Sequence, residues 1–451
     1  MKVMIIGAGK LGTKLAEALL NGEIEITVMD KNPKVLNRIK DHLDVLTINA
    51  NGTVKRVLEE LKIKTYDMTI AVTSDDNTNI IISSIAKKLG CKYTIARIRE
   101  PDYSHQLEFL KKMYDIDRTI NPELATANEI GRYLLGSTAY YSGDYAKGKV
   151  SLVNFNIKNS QHYVNKKISD IAHVDNMLIV AISRKGDTII PHGGTVLKEN
   201  DILYVIGQKE NTNEISKNLN ESNGRKRVKR VKILGGGKIG FHLANTLSKK
   251  GISVKLIESN IDKCKLLADT VGDNVLVIHG NGTDVNLLED ENLADMDAFI
   301  GTTGFDEENL FMSLRAKQLD VSKVVAKISK QNYIHIIEKL GIDLAINPVN
   351  ITASEILKHI RGGRVVSVSL LLDGQAEVTE IIAAENISAL NTPIKELQLP
   401  RGIIIGAIIH KNKVIIPEGN SIIRAGDHMI IFSLLSEVPA LETFFRLKDG
   451  Q

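Results

Sequence analysis

Residues 1–12 read MKVMIIGAGKLG, and the reading of this stretch decides the fold. Met1 to Ile6 is a short apolar run. Gly7-Ala8-Gly9-Lys10-Leu11-Gly12 follows, and Leu15, Ala16, Leu19 and Leu20 then recur at helical spacing. The order is strand, tight glycine turn, helix. Gly7 permits the turn, Gly9 lets the backbone approach a diphosphate, and Gly12 allows close packing of helix on strand. The free N–H groups at the positive end of the helix suit that anion. A second strand, Ile24 to Met29, ends in Asp30. A carboxylate about 20 residues beyond the glycines is where ribose hydroxyls are held. Asp30 can accept from both hydroxyls of the diol and repels a 2′-phosphate, which favours NAD(H) over NADP(H).

Strands and helices alternate outward from this point. Helical patterns are expected at about Pro33–Asp41, Val54–Leu61, Asn77–Leu89 and Ser104–Met113. Strands are expected at Val45–Ile48, Met68–Val72 and Thr94–Ile98, with a short one ending at Ile120. Such alternation implies an α/β fold with a doubly wound parallel sheet. Asn121-Pro122 opens a further helix to about Leu135, with Asn at the N-cap and Pro at the first helical position. From Lys149 the pattern changes to short strands at Val150–Asn156, Met177–Arg184, Thr188–Pro191 and Asp201–Gly207, with one helix near Lys167–Ala172. This is a small α+β lobe of about 70 residues, too small for the substrate domain of an ordinary dehydrogenase. Lys209–Arg227 is polar and reads as a helix end plus linker.

The pattern then repeats. Val231–Leu234 leads into Gly235-Gly236-Gly237-Lys238-Ile239-Gly240, and the next strand ends in Glu258. Gly7 and Asp30 are 23 positions apart, as are Gly235 and Glu258. Asn51-Gly52-Thr53 recurs as Asn281-Gly282-Thr283, Thr73 as Thr303, Asn121-Pro122 as Asn347-Pro348, Glu129 as Glu355, and Asp201 as Asp427. The offset drifts only between 226 and 230 residues, as loop insertions would produce. The chain is a tandem duplication of a two-part unit. The expected parts are residues 1–135 and 228–347, two Rossmann-like nucleotide-binding domains, each followed by a small α+β lobe, 140–224 with its linker and 364–448.

Composition narrows the function. At 451 residues the chain is long enough for roughly two to four domains. Trp is absent and aromatic residues are few, which argues against a stacking surface for single-stranded nucleic acid. The net charge of +4 is small, and its densest run, Arg225 to Arg230, reads as a solubilising connector rather than a nucleic-acid patch. Two distant cysteines, Cys91 and Cys264, give neither a disulfide framework nor a zinc site. The eleven histidines have no metal-ligand spacing. No apolar run approaches the roughly 18 residues of a membrane span. A reduced, cytoplasmic location is expected.

The glycine-turn fold, Asn-Pro helix and small lobe, repeated twice, resemble the regulatory subunits of Trk potassium-uptake systems. Each unit resembles an RCK (KTN) domain followed by its C-terminal lobe. The stretches that carry the resemblance are GAGKLG with Asp30, AVTSDDNTN at 71–79, ARIREPDY at 96–103, GGGKIG with LIES at 256–259, and IIIGAIIHKNKVIIPEGNSIIRAGDHMIIF at 403–432. The resemblance covers essentially the whole chain. It implies a cytoplasmic, nucleotide-sensing ring, tetrameric for two-unit subunits, docked on the inner face of the membrane beneath a Trk-type potassium translocator. It implies too that the helices from Pro122 and Pro348 cross to a neighbouring domain. NAD or NADH is the expected cofactor, with ATP or ADP as alternative occupants.

The remaining candidate residues follow the strand ends. Thr73 and Ser74 lie at the carboxyl edge of the fourth strand, where ligands bind in such sheets, and they also suit helix capping. Thr303 matches Thr73, while Gly304 replaces Ser74. Arg97, at the end of the fifth strand, can approach the diphosphate or an acidic neighbour. Its counterpart Lys327 keeps the charge but loses the bidentate fork. Asn51 and Asn281 follow the third strands, where an amide can read an adenine edge. Lys10 and Lys238 can reach a phosphate, including one held by a neighbouring unit, or can stand as solvated helix-start lysines. The first cleft is expected to hold NAD(H) firmly, and the second, around Gly235, to be weaker or differently selective. The rival reading, an NAD-dependent oxidoreductase, needs an acid or base beside the nicotinamide. Neither small lobe offers one, since His162, His173 and His192 have no evident catalytic partner.

Overall fold

The computed structural model of the chain describes residues 1–20, 24–103, 106–135, 142–157, 163–171, 176–184, 187–218, 228–330, 333, 340–360 and 365–445. The opening run forms β1 (Lys2–Ile6), with Val3, Met4 and Ile5 fully buried. It is the centre of a parallel sheet completed by β2 (Glu25–Asp30), β3 (Leu46–Asn49), β4 (Met68–Ala71), β5 (Tyr93–Arg97) and β6 (Arg118–Ile120), in the order β3-β2-β1-β4-β5-β6. The apolar runs of β1 and β4 are covered on both faces, as parallel strands require. The strand order reverses between β1 and β4, which opens a crevice at the carboxyl ends.

The first lobe is an antiparallel sheet of β7 (Ser142–Tyr145), β8 (Val150–Asn156), β9 (Met177–Arg184), β10 (Asp187–Ile189) and β11 (Ile202–Gln208), ordered β10-β9-β11-β8-β7. The second unit repeats both sheets. β12 (Arg230–Leu234), β13 (Ser253–Glu258), β14 (Val275–His279), β15 (Ala298–Gly301), β16 (Lys323–Lys327) and β17 (Leu344–Ile346) take the order β14-β13-β12-β15-β16-β17. β18 (Val365–Leu371), β19 (Ala376–Ile382), β20 (Ile403–His410), β21 (Lys413–Ile415) and β22 (His428–Leu434) take the order β18-β19-β22-β20-β21. The two lobes share one apolar cluster, in which Tyr145, Leu152 and Ile206 meet Leu371, Val378 and Phe432.

Three local expectations need correcting. β7 is a strand the sequence reading omitted; Ser-Gly-Asp-Tyr carries no apolar alternation and is held as an edge by its pairing with β8. The helix expected near Lys167–Ala172 is a single 3-10 turn, Ile168–Asp170, and Ala172 lies outside the described residues. Its donors are captured elsewhere: Ile168 N–H bonds the Thr195 carbonyl and Ser169 N–H the Gly193 carbonyl. The polar stretch from Lys209 is a full helix, Lys209–Asn218, rather than a helix end. The connector 219–227, with most of the basic run, lies outside the described residues.

The two units exchange helices. The crossing helix Pro122–Leu135 starts as its sequence dictates, with Asn121 Oδ1 accepting from Leu124 N–H at 2.9 Å. It packs on the second unit, where Ala127, Ile130, Tyr133 and Leu134 join Ile239, Leu243, Ala244 and Leu247 of the helix Lys238–Ser248. Lys323 Nζ closes its end, donating to the carbonyls of Tyr133 at 3.0 Å and Leu134 at 3.1 Å. The crossing helix Pro348–Ile360 reciprocates: Ala353, Ile356, Leu357 and Ile360 pack with Leu11, Leu15, Ala18 and Leu19 of the first unit. One face of each parallel sheet is therefore covered in part by the other repeat. Truncating the fully buried Leu357 to Ala should cost about 2–5 kcal/mol. Amide exchange in β1 and in Lys10–Leu19 should quicken, although the substituted residue belongs to the other repeat. Unchanged protection there would contradict the exchange.

One charge is buried in a central strand. Lys232 in β12 is fully buried where the first unit has Met4. Its Nζ donates to the Glu291 carbonyl at 3.0 Å, which Lys255 Nζ also contacts at 3.0 Å. Burial, with the Lys255 charge adding, pushes its ammonium down to about 8. The unfolded chain then binds more protons than the native one between pH 8 and about 10.4, so this group adds stability as pH rises through that window. Compared with Lys232→Met, the wild type should gain roughly 3 kcal/mol or less between pH 8 and 10.5 in urea unfolding. Parallel stability curves would refute this assignment.

Candidate functional site

The glycine turn is built by contact. Gly7 has φ +114°, and a Cβ on it would meet Val72 and Thr73 backbone at 2.8 Å. A Cβ on Gly12 would lie 1.9 Å from the Gly7 carbonyl oxygen. Gly9 differs: apart from its own chain neighbours, no atom of the described residues lies within 4 Å of the Cβ position. Packing therefore does not demand glycine there, and the space beside it is open. The helix Lys10–Leu19 begins at Gly9 with no side-chain cap, although the next helix is capped by Asn32. An uncapped helix start leaves N–H donors of the kind that suit an anion. Of the other loop residues, Ala8 and Leu11 are buried and Lys10 is exposed.

Asp30 ends β2 beside this loop. Its Oδ2 accepts from Ala8 N–H at 2.7 Å and its Oδ1 from Asn32 N–H at 2.8 Å. Its carboxylate therefore both fixes the loop and lies at the position of a ribose-binding acid. Thr73 is held by Asn79, whose Oδ1 accepts from the Thr73 N–H and hydroxyl, each at 2.8 Å. Asn79 Nδ2 donates to the Arg97 carbonyl at 2.9 Å, tying the ends of β4 and β5 together. The Asn51 side-chain oxygen accepts from Thr53 N–H at 3.1 Å and from its hydroxyl at 2.9 Å.

Gly7, Gly9, Lys10, Leu11, Asp30, Asn51, Thr73, Ser74 and Arg97 line one cleft of about 790 Å³. This is the size of a site for a cofactor-sized ligand. Its far wall includes residues that sequence reasoning did not assign to it: Arg99 and Glu123, and Ile239, Lys327, Ser329 and Val349 of the second unit. Arg99 and Glu123 were visible only as charges in ARIREPDY and after Asn121-Pro122. No local pattern announces the second-unit residues, because the helix exchange brings them there. Arg97 Nε and Glu123 Oε2 are both buried with no hydrogen-bond partner. Burial, then Arg99, pushes the Arg97 guanidinium down, and burial pushes the Glu123 carboxyl up against Arg99, Arg97 and Lys238.

The second unit keeps the turn and alters the acid. Gly235 has φ +103°, a Cβ on Gly240 would lie 2.0 Å from the Gly235 carbonyl oxygen, and Gly237 again has nothing within 4 Å. Glu258 is buried, folded back so that Oε2 accepts from Gly236 N–H at 3.1 Å and Oε1 from Asn260 N–H at 2.9 Å. A Cβ on Gly236 would lie 3.0 Å from Glu258 Cβ and 2.5 Å from Leu267 Cδ1, so the longer acid goes with glycine where the first unit has Ala8. Asn281 repeats the Asn51 turn through Thr283, and Asn309 holds Thr303 as Asn79 holds Thr73. Lys327 Nζ donates to the Thr303 carbonyl at 2.6 Å, and burial lowers its ammonium. The loop lysines point across the units: Lys238 pairs with Glu100 at 2.6 Å, and the Lys10 charge is felt by Lys327.

Other candidates fall outside the clefts. His192 Nδ1 accepts from Gly194 N–H at 3.2 Å in an exposed loop, and His162 and His173 lie outside the described residues. Among the described residues no three His, Cys, Asp or Glu side chains are placed to hold a metal, and no helix is long and apolar enough to cross a membrane.

Residues 3–122 and 231–348 match the TrkA-N domain, and residues 152–220 and 378–446 match the TrkA-C domain. The chain belongs to the TrkA family. It is 33% identical over 454 residues to the Trk system potassium uptake protein TrkA homolog 1 of Methanosarcina mazei, covering 99% of this chain and 100% of that protein. It is 33% identical over 457 residues to TrkA of Haemophilus influenzae, covering 99% of each. Among solved structures, the GsuK RCK domain matches with a TM-score of 0.57 at 19% identity, over 98% of this chain and 94% of that one. The GsuK channel bound to NAD matches with a TM-score of 0.57 at 19% identity, over 98% and 78%. These two likenesses establish the fold as that of tandem RCK domains.

Asn79 is fully buried and serves three backbone groups at once. Asn79→Ala should destabilise the protein by about 2–4 kcal/mol, since those groups lose their partner inside the fold. Denaturant unfolding checks it, and a loss below about 1 kcal/mol would mean that Thr73 and Arg97 are held by other means.

Proposed function

We propose that this TrkA-family chain is the nucleotide-sensing regulatory subunit of a Trk-type potassium uptake system, peripheral to the inner face of the cell membrane. Its units are residues 1–135 with lobe 140–224, and 228–347 with lobe 364–448. The observation that carries the reading is the first cleft: an uncapped helix start, the empty space at Gly9 and the carboxylate of Asp30, arranged along one sheet edge. NAD or NADH fits this arrangement, with ATP or ADP sharing the adenosine half. The loop N–H groups and Lys10 would hold the diphosphate, Asp30 the adenosine ribose, Asn51 the adenine edge, and Thr73, Ser74 and Arg97 the distal half. Gly235, Gly236, Gly237, Lys238, Ile239, Gly240, Glu258, Asn281 and Thr303 would form a second site, weaker or differently selective.

The reading is of a sensor and not of a catalyst. A nucleotide shifts a conformational equilibrium only by as much as it binds one state better than the other. The first cleft has that opportunity, because its walls come from both repeats and a bound nucleotide would touch the two together. A homotetrameric ring of such chains would pass the change to the translocator. The full-length relatives are named Trk system potassium uptake proteins, which supports the partner, and no nucleic-acid role is proposed.

Asp30→Ala should weaken NADH binding by about 10- to 100-fold, the loss of one or two charge-assisted hydrogen bonds. Glu258→Ala should leave the first-cleft affinity within about two-fold. Calorimetric titration of NAD, NADH, ATP and ADP into the three proteins checks both, and potassium uptake should lose its nucleotide dependence in Asp30→Ala. Unchanged isotherms in both variants would end the two-site reading.

A further inference from the structure

Among the described residues, the buried side-chain polar atoms of the first cleft that lack a partner are a donor, Arg97 Nε, and an acceptor, Glu123 Oε2. Both residues line the cleft. They form no ion pair with each other; the Glu123 contact is to Arg99 Nη1 at 3.9 Å, and its side chain is 19% exposed. Neighbours do not use up either group. Lys238, a second-unit cation whose charge Glu123 feels, is paired to Glu100, and Asp76 is occupied by the N–H groups of Arg99 and Glu100.

The fold places this pair at one end of a dinucleotide. Asp30 ends β2, the loop follows β1, Arg97 ends β5, and Glu123 opens the helix after β6. From β2 to β5 is three strand spacings, roughly 14 Å, the reach of two ribosides joined by a diphosphate. With the adenosine ribose at Asp30, the second base lies at Arg97 and Glu123. A donor beside an acceptor is the complement of a primary carboxamide, whose oxygen accepts and whose NH₂ donates. We propose that Arg97 and Glu123 read the carboxamide of the nicotinamide, and so distinguish the dinucleotide from nucleotides that share only its adenosine half. The proposal rests on the reading of the first cleft as a dinucleotide site.

The duplication supplies an internal control. The second-unit counterpart of Arg97 is Lys327, whose Nζ is committed to the Thr303 carbonyl at 2.6 Å. The counterpart of Glu123 is Val349, which can accept nothing. The second cleft keeps the glycine turn and the acid but lacks both members of the pair. It should not distinguish NAD from ADP-ribose, whereas the first should.

The test uses the full-length protein in a Glu258→Ala background, which weakens the second cleft. The probes are NAD, ADP-ribose, which lacks the nicotinamide, and 3-acetylpyridine adenine dinucleotide, which keeps the carbonyl and loses the NH₂. The added substitutions are Arg97→Lys and Glu123→Val, residues this fold already carries at the equivalent positions. With Glu123 and Arg97 intact, NAD should bind about ten-fold more tightly than the acetylpyridine analogue, as expected for one hydrogen bond to a charged group. Glu123→Val should remove that gap and leave ADP-ribose within about two-fold. Arg97→Lys should weaken both dinucleotides more than ADP-ribose. Equal binding of NAD and its analogue before substitution overturns the proposal. Parallel loss of ADP-ribose in Glu123→Val also overturns it, because the pair would then serve the diphosphate or the fold. If neither NAD nor ADP-ribose binds, the dinucleotide reading of the cleft fails with it.

Discussion

The structure depends on the reciprocal burial of two helices. Ala127, Ile130 and Leu134 of the first repeat are fully or almost fully buried against the second, and Ala353, Ile356 and Leu357 of the second against the first. Burial of such aliphatic side chains contributes about 1.5–3 kcal/mol each for the larger ones. Neither parallel sheet can shed the other repeat's helix without exposing that surface. The two units therefore form one cooperative body, and a cleft on one unit has walls on both. The shared apolar cluster of the lobes closes the same body at its other end.

Within this frame each cleft is held by one buried amide. Asn79 and Asn309 clamp the ends of neighbouring strands, joining Thr73 to Arg97 and Thr303 to Lys327. The clamp uses side-chain groups where the parallel ladder has ended, so the strand ends stay rigid beside an open crevice. Differences between the units are then confined to what projects from equal backbones. Asp30 remains partly exposed while Glu258 is buried, and the Arg97 Nε lacks a partner while the Lys327 ammonium is bonded.

Much of this was legible in the sequence, for identifiable reasons. The glycine turn, the acids ending β2 and β13, and the Asn-Pro helix starts depend on local backbone chemistry, which a short stretch carries in full. The duplication was legible because two copies repeat the same spacing. What escaped were features that arise between distant segments. β7 has no apolar alternation and exists through its partner strand. The turn at Ile168–Asp170 is decided by carbonyls of residues 193 and 195. Arg99 and Glu123 carry no local signal that assigns them to the cleft, and Lys327 is legible only as the counterpart of Arg97; the exchanged helices bring residues of both units to one cleft.

The pairing of Ala8 with Asp30 and of Gly236 with Glu258 has a consequence for how such a chain can diverge. A methyl group on residue 236 would lie 2.5 Å from Leu267 Cδ1 and 3.0 Å from Glu258 Cβ, so alanine there requires both side chains to shift. A recombination event between the two halves of the gene, with its crossover between the loop and the following strand, would place alanine beside glutamate. The hybrid would carry a clash that neither parent has. Exchange of loops between the two halves thus carries a packing cost, and each loop is matched to the acid of its own unit.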